Sequence, residues 1–152
     1  MSITSLVESE GFKKISSKVE KMGSVVLSVG LIMHFFKIAQ SNNFLSIGFS
    51  SLALIYFFKA FSKTNVNVKI VSIIFNKVYG YSLAMSLVTV MFTLEKWPIS
   101  ESSLFFSFIL LLLATYLSIM KKKEEKQISF DKLHFIRLFI ATALVVYAYL
   151  SK

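Results

Sequence analysis

The sequence predicts an all-α polytopic membrane bundle of about five transmembrane helices, arranged as two similar hairpins and a C-terminal span. Three observations carry that prediction. The chain is 55% apolar and only 16% charged, with 16 Phe against 5 Gly and 1 Pro, whereas soluble domains carry about 25% charge. Its 152 residues make one domain, too small for a water-shielded core to absorb that much apolar surface. Apolar runs approaching the ~20 residues that a bilayer requires recur along the chain, and the basic residues fall between them in alternation.

Taken in order, residues 1–21 read as a cytoplasmic amphipathic arm. Phe12, Ile15, Val19 and Met22 lie at helical spacing on one stripe, with lysines around the other side. The arm has no apolar core of signal-peptide length, so the first span is expected to act as an uncleaved targeting signal. Residues 22–61 form the first hairpin, with spans Met22–Ile38 and Phe44–Phe61. The polar stretch "KIAQSNN" between them reads as a wet turn, in which Asn42 or Asn43 can cap the second helix. Residues 62–77 are a basic linker or interfacial helix. Residues 78–120 form the second hairpin, with spans Val78–Leu94 and Ser103–Met120. A second basic linker, 121–132, precedes the last span, Leu133–Leu150.

Fourteen of the 17 Lys and Arg residues lie in the arm, the two linkers, at Lys59 near the end of the second span, and at Arg137 about one turn into the last. Only Lys37, Lys96 and Lys152 lie on the other side. Cytoplasmic loops carry the excess of Lys and Arg, so the expected placement is multi-pass in a bacterial inner membrane, N-terminus cytoplasmic and C-terminus outside.

The two hairpins align with a shift of 59 residues. Lys37 then falls on Lys96, Ser41 on Ser100, Leu45 on Leu104 and Phe49 on Phe108. The shared lysine and equal spacing favour an internal duplication. Similarity imposed by the lipid alone is the competing account.

Candidate chemistry is sparse. Without cysteine, disulfides, thiolate metal sites and a Cys nucleophile are excluded. No phosphate loop, dinucleotide fingerprint or hydrolase motif occurs. Two histidines on opposite sides of the membrane do not make a metal site, so no catalytic, cofactor-binding or metal residue is expected. The lysines do not line one face with interleaved aromatics, which argues against nucleic acid. Two polar groupings remain. His34, Lys37, Glu95 and Glu101 form a possible outer-face cluster, in which a lysine–glutamate contact would clip the two hairpins together. Lys121, Lys122, Lys123, His134 and Arg137 form a possible contact for lipid headgroups. Arg137 lies about one turn inside the last span with no acidic partner expected at its depth, and snorkelling toward the headgroups is the plainer reading. Rows of small and hydroxylated residues, such as Ser24 and Ser28 or Ser82 and Ser86, suit close helix contacts.

The stretch "GLIMHFFKIAQSNNFLSIGFSSLALIYFF", residues 30–58, with the Trp97–Pro98 turn, resembles the N-terminal membrane hairpin of the GldL family. Members of that family are proton-driven motor proteins of gliding motility and type IX secretion in Bacteroidota. Gly30, Phe36, Lys37 and Ile38 match the end of the family's first span, and Gly48, Phe49, Ala53, Ile55 and Phe57 its second. The resemblance implies a helical membrane hairpin. It does not carry over the motor activity, because the family's membrane-embedded glutamate corresponds to Leu52 here, and such work requires an ionisable group within the membrane.

The expected function is therefore non-enzymatic. It is that of a small structural or accessory subunit, in contact with the bilayer and with itself or other membrane proteins. A small transporter or channel is the alternative, and a lipid-headgroup-binding protein the second.

Overall fold

A computed structural model describes Val7 and residues 9–61, 70–98, 101–124 and 132–151, the side chains of 70–72, 121–124 and 132 excepted. Five α-helices are present: α1 (Glu10–Phe35), α2 (Ser41–Lys59), α3 (Ile70–Leu94), α4 (Glu101–Glu124) and α5 (Lys132–Leu150). The arm is part of α1, which starts at a Ser9 cap whose hydroxyl accepts from the Phe12 amide at 3.2 Å. Residues 70–77, just before the third apolar run, likewise belong to α3.

The expected five spans are corrected to three. Among the described residues only Ile73–Leu94, Glu101–Met120 and Leu133–Leu150 are long and apolar enough to cross a membrane by themselves. The reason lies in the two remaining helices. From Met22 the apolar part of α1 runs only to Phe35, where the helix ends, roughly 21 Å at about 1.5 Å per residue. Below Met22, Lys13, Lys14, Lys18, Glu20 and Lys21 charge the helix. α2 opens on Ser41, Asn42 and Asn43, carries Ser46, Ser50 and Ser51, and ends on Lys59.

Packing is antiparallel and sequential. α1 packs on α2, α2 on α3, α3 on α4, and α5 closes against both α3 and α4. α3 is the central helix, over half buried. α2 follows it along its length. A Cβ on Gly80 would lie 2.8 Å from Ala60 Cβ and from the Tyr56 carbonyl oxygen. Higher up, the Phe57 and Tyr81 rings meet edge-on at 5.8 Å, and Ser50 reaches the Met91 sulfur at 3.5 Å. At the far end Ser46 donates to the Glu95 carboxylate.

The buried positions form narrow seams spaced three and four apart. On α4 they are Leu104, Ser107, Leu111, Ala114 and Ser118, and on α5 Leu138, Ala141, Val145 and Ala148. Seams of this spacing let antiparallel helices interlock over a thin strip. They include small residues, Gly23 and Gly30 on α1 and Ser82, Ser86 and Thr89 on α3, beside large ones such as Phe49, Leu83 and Leu104. Large apolar side chains point outward, among them Phe35, Phe105, Phe139 and Leu150, each at least two-thirds exposed. Small residues at the contacts let the helix backbones come close. The apolar stripe of the arm is divided, with Phe12 packed edge-on against Phe58 at 5.9 Å between ring centroids. Ile15 and Met22 face outward at 61% and 69% exposure, whereas Ser16 is buried.

Both hairpin turns have the same hydrogen bonds at the 59-residue shift. The Lys37 amide donates to the His34 carbonyl (3.0 Å) and the Ile38 amide to the Met33 carbonyl (2.9 Å). Lys96 donates to Thr93 (3.1 Å) and Trp97 to Phe92 (2.8 Å). Each pair is a Schellman closure, with lysine in the left-handed position at φ 54° and 59°. Burial follows the same register: Gly23, Leu27 and Gly30 are buried, and so are Ser82, Ser86 and Thr89. Leu45, Gly48 and Leu52 match the buried Leu104, Ser107 and Leu111. Neither Asn42 nor Asn43 caps α2. The cap is Gln40 at φ 80°, without a side-chain hydrogen bond.

Candidate functional site

At the end of the bundle where α1 and α5 begin and α2 ends, three charged side chains meet. Glu20 stands on α1, two residues before the apolar run. Its Oε1 receives Arg137 Nη2 from α5 at 2.6 Å, and its Oε2 receives Lys59 Nζ from α2 at 2.5 Å. The Tyr56 hydroxyl donates to the same Oε1 at 3.0 Å, and Lys59 Nζ lies 5.5 Å from the centre of the Tyr56 ring. Tyr79 of α3, buried, stands beside Arg137, and the His134 ring meets it edge-on at 4.8 Å. Three helices thus converge on one carboxylate, and α3 joins the cluster through Tyr79 beside Arg137.

The helical register explains the convergence. Tyr56 and Ala60 lie one turn apart on the α2 face that meets Gly80. Lacking a side chain, Gly80 draws the end of α2 onto α3 and so brings Tyr56 and Lys59 to the level of Tyr79. His134 and Arg137, three apart on α5, share the face turned toward them. Arg137 is therefore paired with an acid, correcting the expectation of an unpartnered arginine that snorkels away. Its partner comes from a helix more than a hundred residues earlier in the chain.

The Glu20 side chain is 13% exposed, against 23% for Arg137 and 34% for Lys59. Burial pushes the Glu20 carboxyl up, but the hydrogen bond and charge of Lys59, the Arg137 charge and the Tyr56 hydroxyl outweigh it. The net pKa lies below the ordinary 4.5. A carboxyl whose pKa is lower in the folded than in the unfolded chain stabilises the fold above its unfolded value. That contribution is lost as pH falls through the folded value. The thermal midpoint in detergent is therefore expected to hold steady above pH 4.5 and to drop below it. Glu20→Gln should flatten that acid limb in a melting series across pH.

The outer-face residues are placed as follows. His34 is half-buried near the end of α1, and Lys37 is exposed in the turn. Glu95 accepts from Ser46 of α2, so this contact joins the two hairpins at that end. Glu101 opens α4 and is exposed. Trp97 stacks on Phe92 with centroids 5.1 Å apart. The side chains of Lys121, Lys122 and Lys123 lie outside the described residues, as do most of the two basic linkers. Among the described residues no group of three metal-ligating side chains occurs.

Glu20, Tyr56, Lys59 and Tyr79 were not singled out by sequence reasoning. The available signal was Glu20 itself, the only acidic residue between Glu10 and Glu95 and set among four lysines. Compared with known protein families, curated proteins and solved structures, the chain gave no match.

Proposed function

We propose that this is a small, non-enzymatic membrane protein whose role is assembly, as a structural or accessory subunit of a membrane complex. The observation that carries this reading is how the interior polar groups are used. Glu20, Lys59 and Arg137 join three helices, Thr89 and Ser107 pair across α3 and α4 at 3.0 Å, and Ser46 and Glu95 join the hairpins. Each of these contacts holds helices together. Large apolar side chains meanwhile cover the outer faces of α4 and α5, offering lipid or a neighbouring subunit a broad surface.

The reading extends to placement in the membrane. α3 is apolar enough to cross, and the α1–α2 hairpin follows it from Gly80 to Glu95. Packing on α3 supports the hairpin at membrane depth, although its own sequence is too polar or too short to insert alone. The matching turns and seams support the two hairpins as repeats of one unit, related without inversion. The charged end, with its basic linkers, is assigned to the cytoplasm. Single cysteines at Ser16, Ser62 and Gln127 are then expected to resist an impermeant thiol reagent in whole cells, and cysteines at Asn43 and Ser100 to react. Labelling at Ser62 would overturn this orientation.

The assembly role is tested by affinity purification of the chain in mild detergent, with co-purifying proteins identified by mass spectrometry. A stoichiometric membrane partner is expected. An isolated protein that conducts ions or passes solute in liposomes would instead establish the transporter reading.

A further inference from the structure

The contact between the two hairpins is a template for a second one. α2 meets α3 through Ala60 against Gly80, Phe57 against Tyr81, Ser50 against Met91 and Ser46 against Glu95. The 59-residue shift that matches the turns and seams carries the α2 members of these pairs onto Ile119, Tyr116, Ile109 and Phe105 of α4. Taken the other way, it carries the α3 members onto Lys21, Met22, Ile32 and Phe36 at α1. All of these equivalents are exposed. All but Lys21 are large and mainly apolar, with Phe36 and Phe105 at 68% and 67% exposure. The face of α2 that α3 covers is therefore left uncovered on α4, and the face of α3 that α2 covers is left uncovered on α1. α5 packs beside the α4 row without covering it. Its Val145, Val146 and Tyr149 share with Leu104, Phe105 and Phe108 an apolar cavity of about 290 Å³.

A single row of this kind needs only lipid. Two rows in the register of an interface that the chain already forms specify each other, as the open faces of stacked repeats do. We propose that α4 of one copy packs on α1 of a second copy, repeating the α2–α3 contact. The proposal rests on the assembly reading and names a second copy of the chain as a partner. In that register the second copy's Ile32 lies against Ile109, its Met22 against Tyr116, and its Phe36 against Phe105 at the mouth of the cavity. Lys21 falls level with Ile119 at the charged end, where a lysine can extend its ammonium to the headgroups. The side chains are larger than those between α2 and α3, so the two helices stand further apart and hold by interlocking side chains. The two faces differ, which makes the contact heterologous. Each copy offers one of each, and repetition gives a ring where the rotation closes.

The chain has no cysteine, so introduced cysteines report the contact directly. The full chain carrying Ile32→Cys, Ile109→Cys or both is treated in native membranes with a short bifunctional thiol reagent. Both changes in one chain are expected to give a ladder of dimers, trimers and higher species, because each copy then carries both reactive faces. The two single variants expressed together are expected to stop at dimers, and either one alone to stay monomeric. Ile32→Cys combined with Tyr147→Cys, exposed on α5, measures chance collision and is expected to give little product. Phe36→Ala with Phe105→Ala is expected to reduce the ladder severalfold. Ser50→Cys and Met91→Cys, bridged within one chain by the same reagent, report whether that truncated protein is folded. If it is not, the cysteine pairs decide alone. A dimer from either single variant would mean that like faces meet, and equal product from the collision pair would mean diffusion. Absence of the ladder would mean that lipid covers both rows. Each of these overturns the self-contact. If a membrane protein still co-purifies, the assembly role survives that failure; if none does, both readings fall.

Discussion

Glu20→Gln is expected to destabilise the bundle by about 2–3 kcal/mol, a fall in thermal midpoint of roughly 5–10 °C for a chain of this size. Glutamine keeps the shape and can still accept from Tyr56, but it removes the carboxylate charge that Lys59 and Arg137 share. Removing one partner of a fully buried pair costs about 3–5 kcal/mol. Partial exposure of the two basic groups, 34% and 23%, lets water compensate and sets the lower figure. Arg137→Gln is expected to cost a similar amount by stranding the carboxylate. The double variant should recover part of the loss, with a coupling of about 1–2 kcal/mol in a double-mutant cycle. Lys59→Met should cost less than either, since Lys59 is the most exposed of the three. Additive losses, or a Glu20→Gln protein that melts with the parent, would mean that the cluster is solvated and ties nothing together.

How far the sequence announces this structure depends on what each residue reports. Runs such as "SLFFSFILLLLATYLSIM" report their preferred solvent directly, so the helices, the polar turns and three candidate spans were legible. The register of the two hairpins was legible too, because Lys37 and Lys96 occupy the same left-handed position of the same closure. The number of self-sufficient spans was not. Apolar counting joined Phe36–Ile38 to the first run, but these residues lie in the turn beyond α1. The direction of side chains was legible only in part. Phe12, Ile15, Val19 and Met22 form one stripe by spacing, yet Ile15 and Met22 face out while Phe12 packs on Phe58. The Glu20 cluster was the least legible feature. It depends on the relative rotation of four helices, set by close contacts such as Gly80 against Ala60, and no spacing within a single helix encodes that.

Gly48→Ala is expected to loosen the first hairpin and lower stability by about 2 kcal/mol net, with the opposite sign to the same change at Gly11. A Cβ at Gly48 would lie 2.7 Å from Leu27 Cα and 2.8 Å from Leu27 N and Cβ. Carbon atoms prefer about 3.5–4.0 Å, so relief requires a shift on the order of 1 Å. The obstacle is mostly backbone, and no rotamer change can yield; α1 and α2 must move apart along their seam. That separation would also weaken the contacts at Gly23 and Gly30, where α2 lies within 3 Å of an added Cβ. Overpacking of this kind costs about 1–3 kcal/mol or more, and the better helix propensity of alanine returns only about 1 kcal/mol. At Gly11 nothing lies within 4 Å of the added carbon, so the propensity gain stands alone and Gly11→Ala is expected to stabilise by about 0.5–1 kcal/mol. The second hairpin supplies an internal contrast. Ser107 stands where Gly48 does and accommodates a side chain by pairing with Thr89 at 3.0 Å, so Ser107→Ala is expected to cost only about 0.6 kcal/mol. Thermal melts of the three single variants in one detergent would separate the cases. If Gly48→Ala melts at or above the parent, as Gly11→Ala should, then α1 and α2 are not held in backbone contact and the tight packing of the first hairpin is wrong.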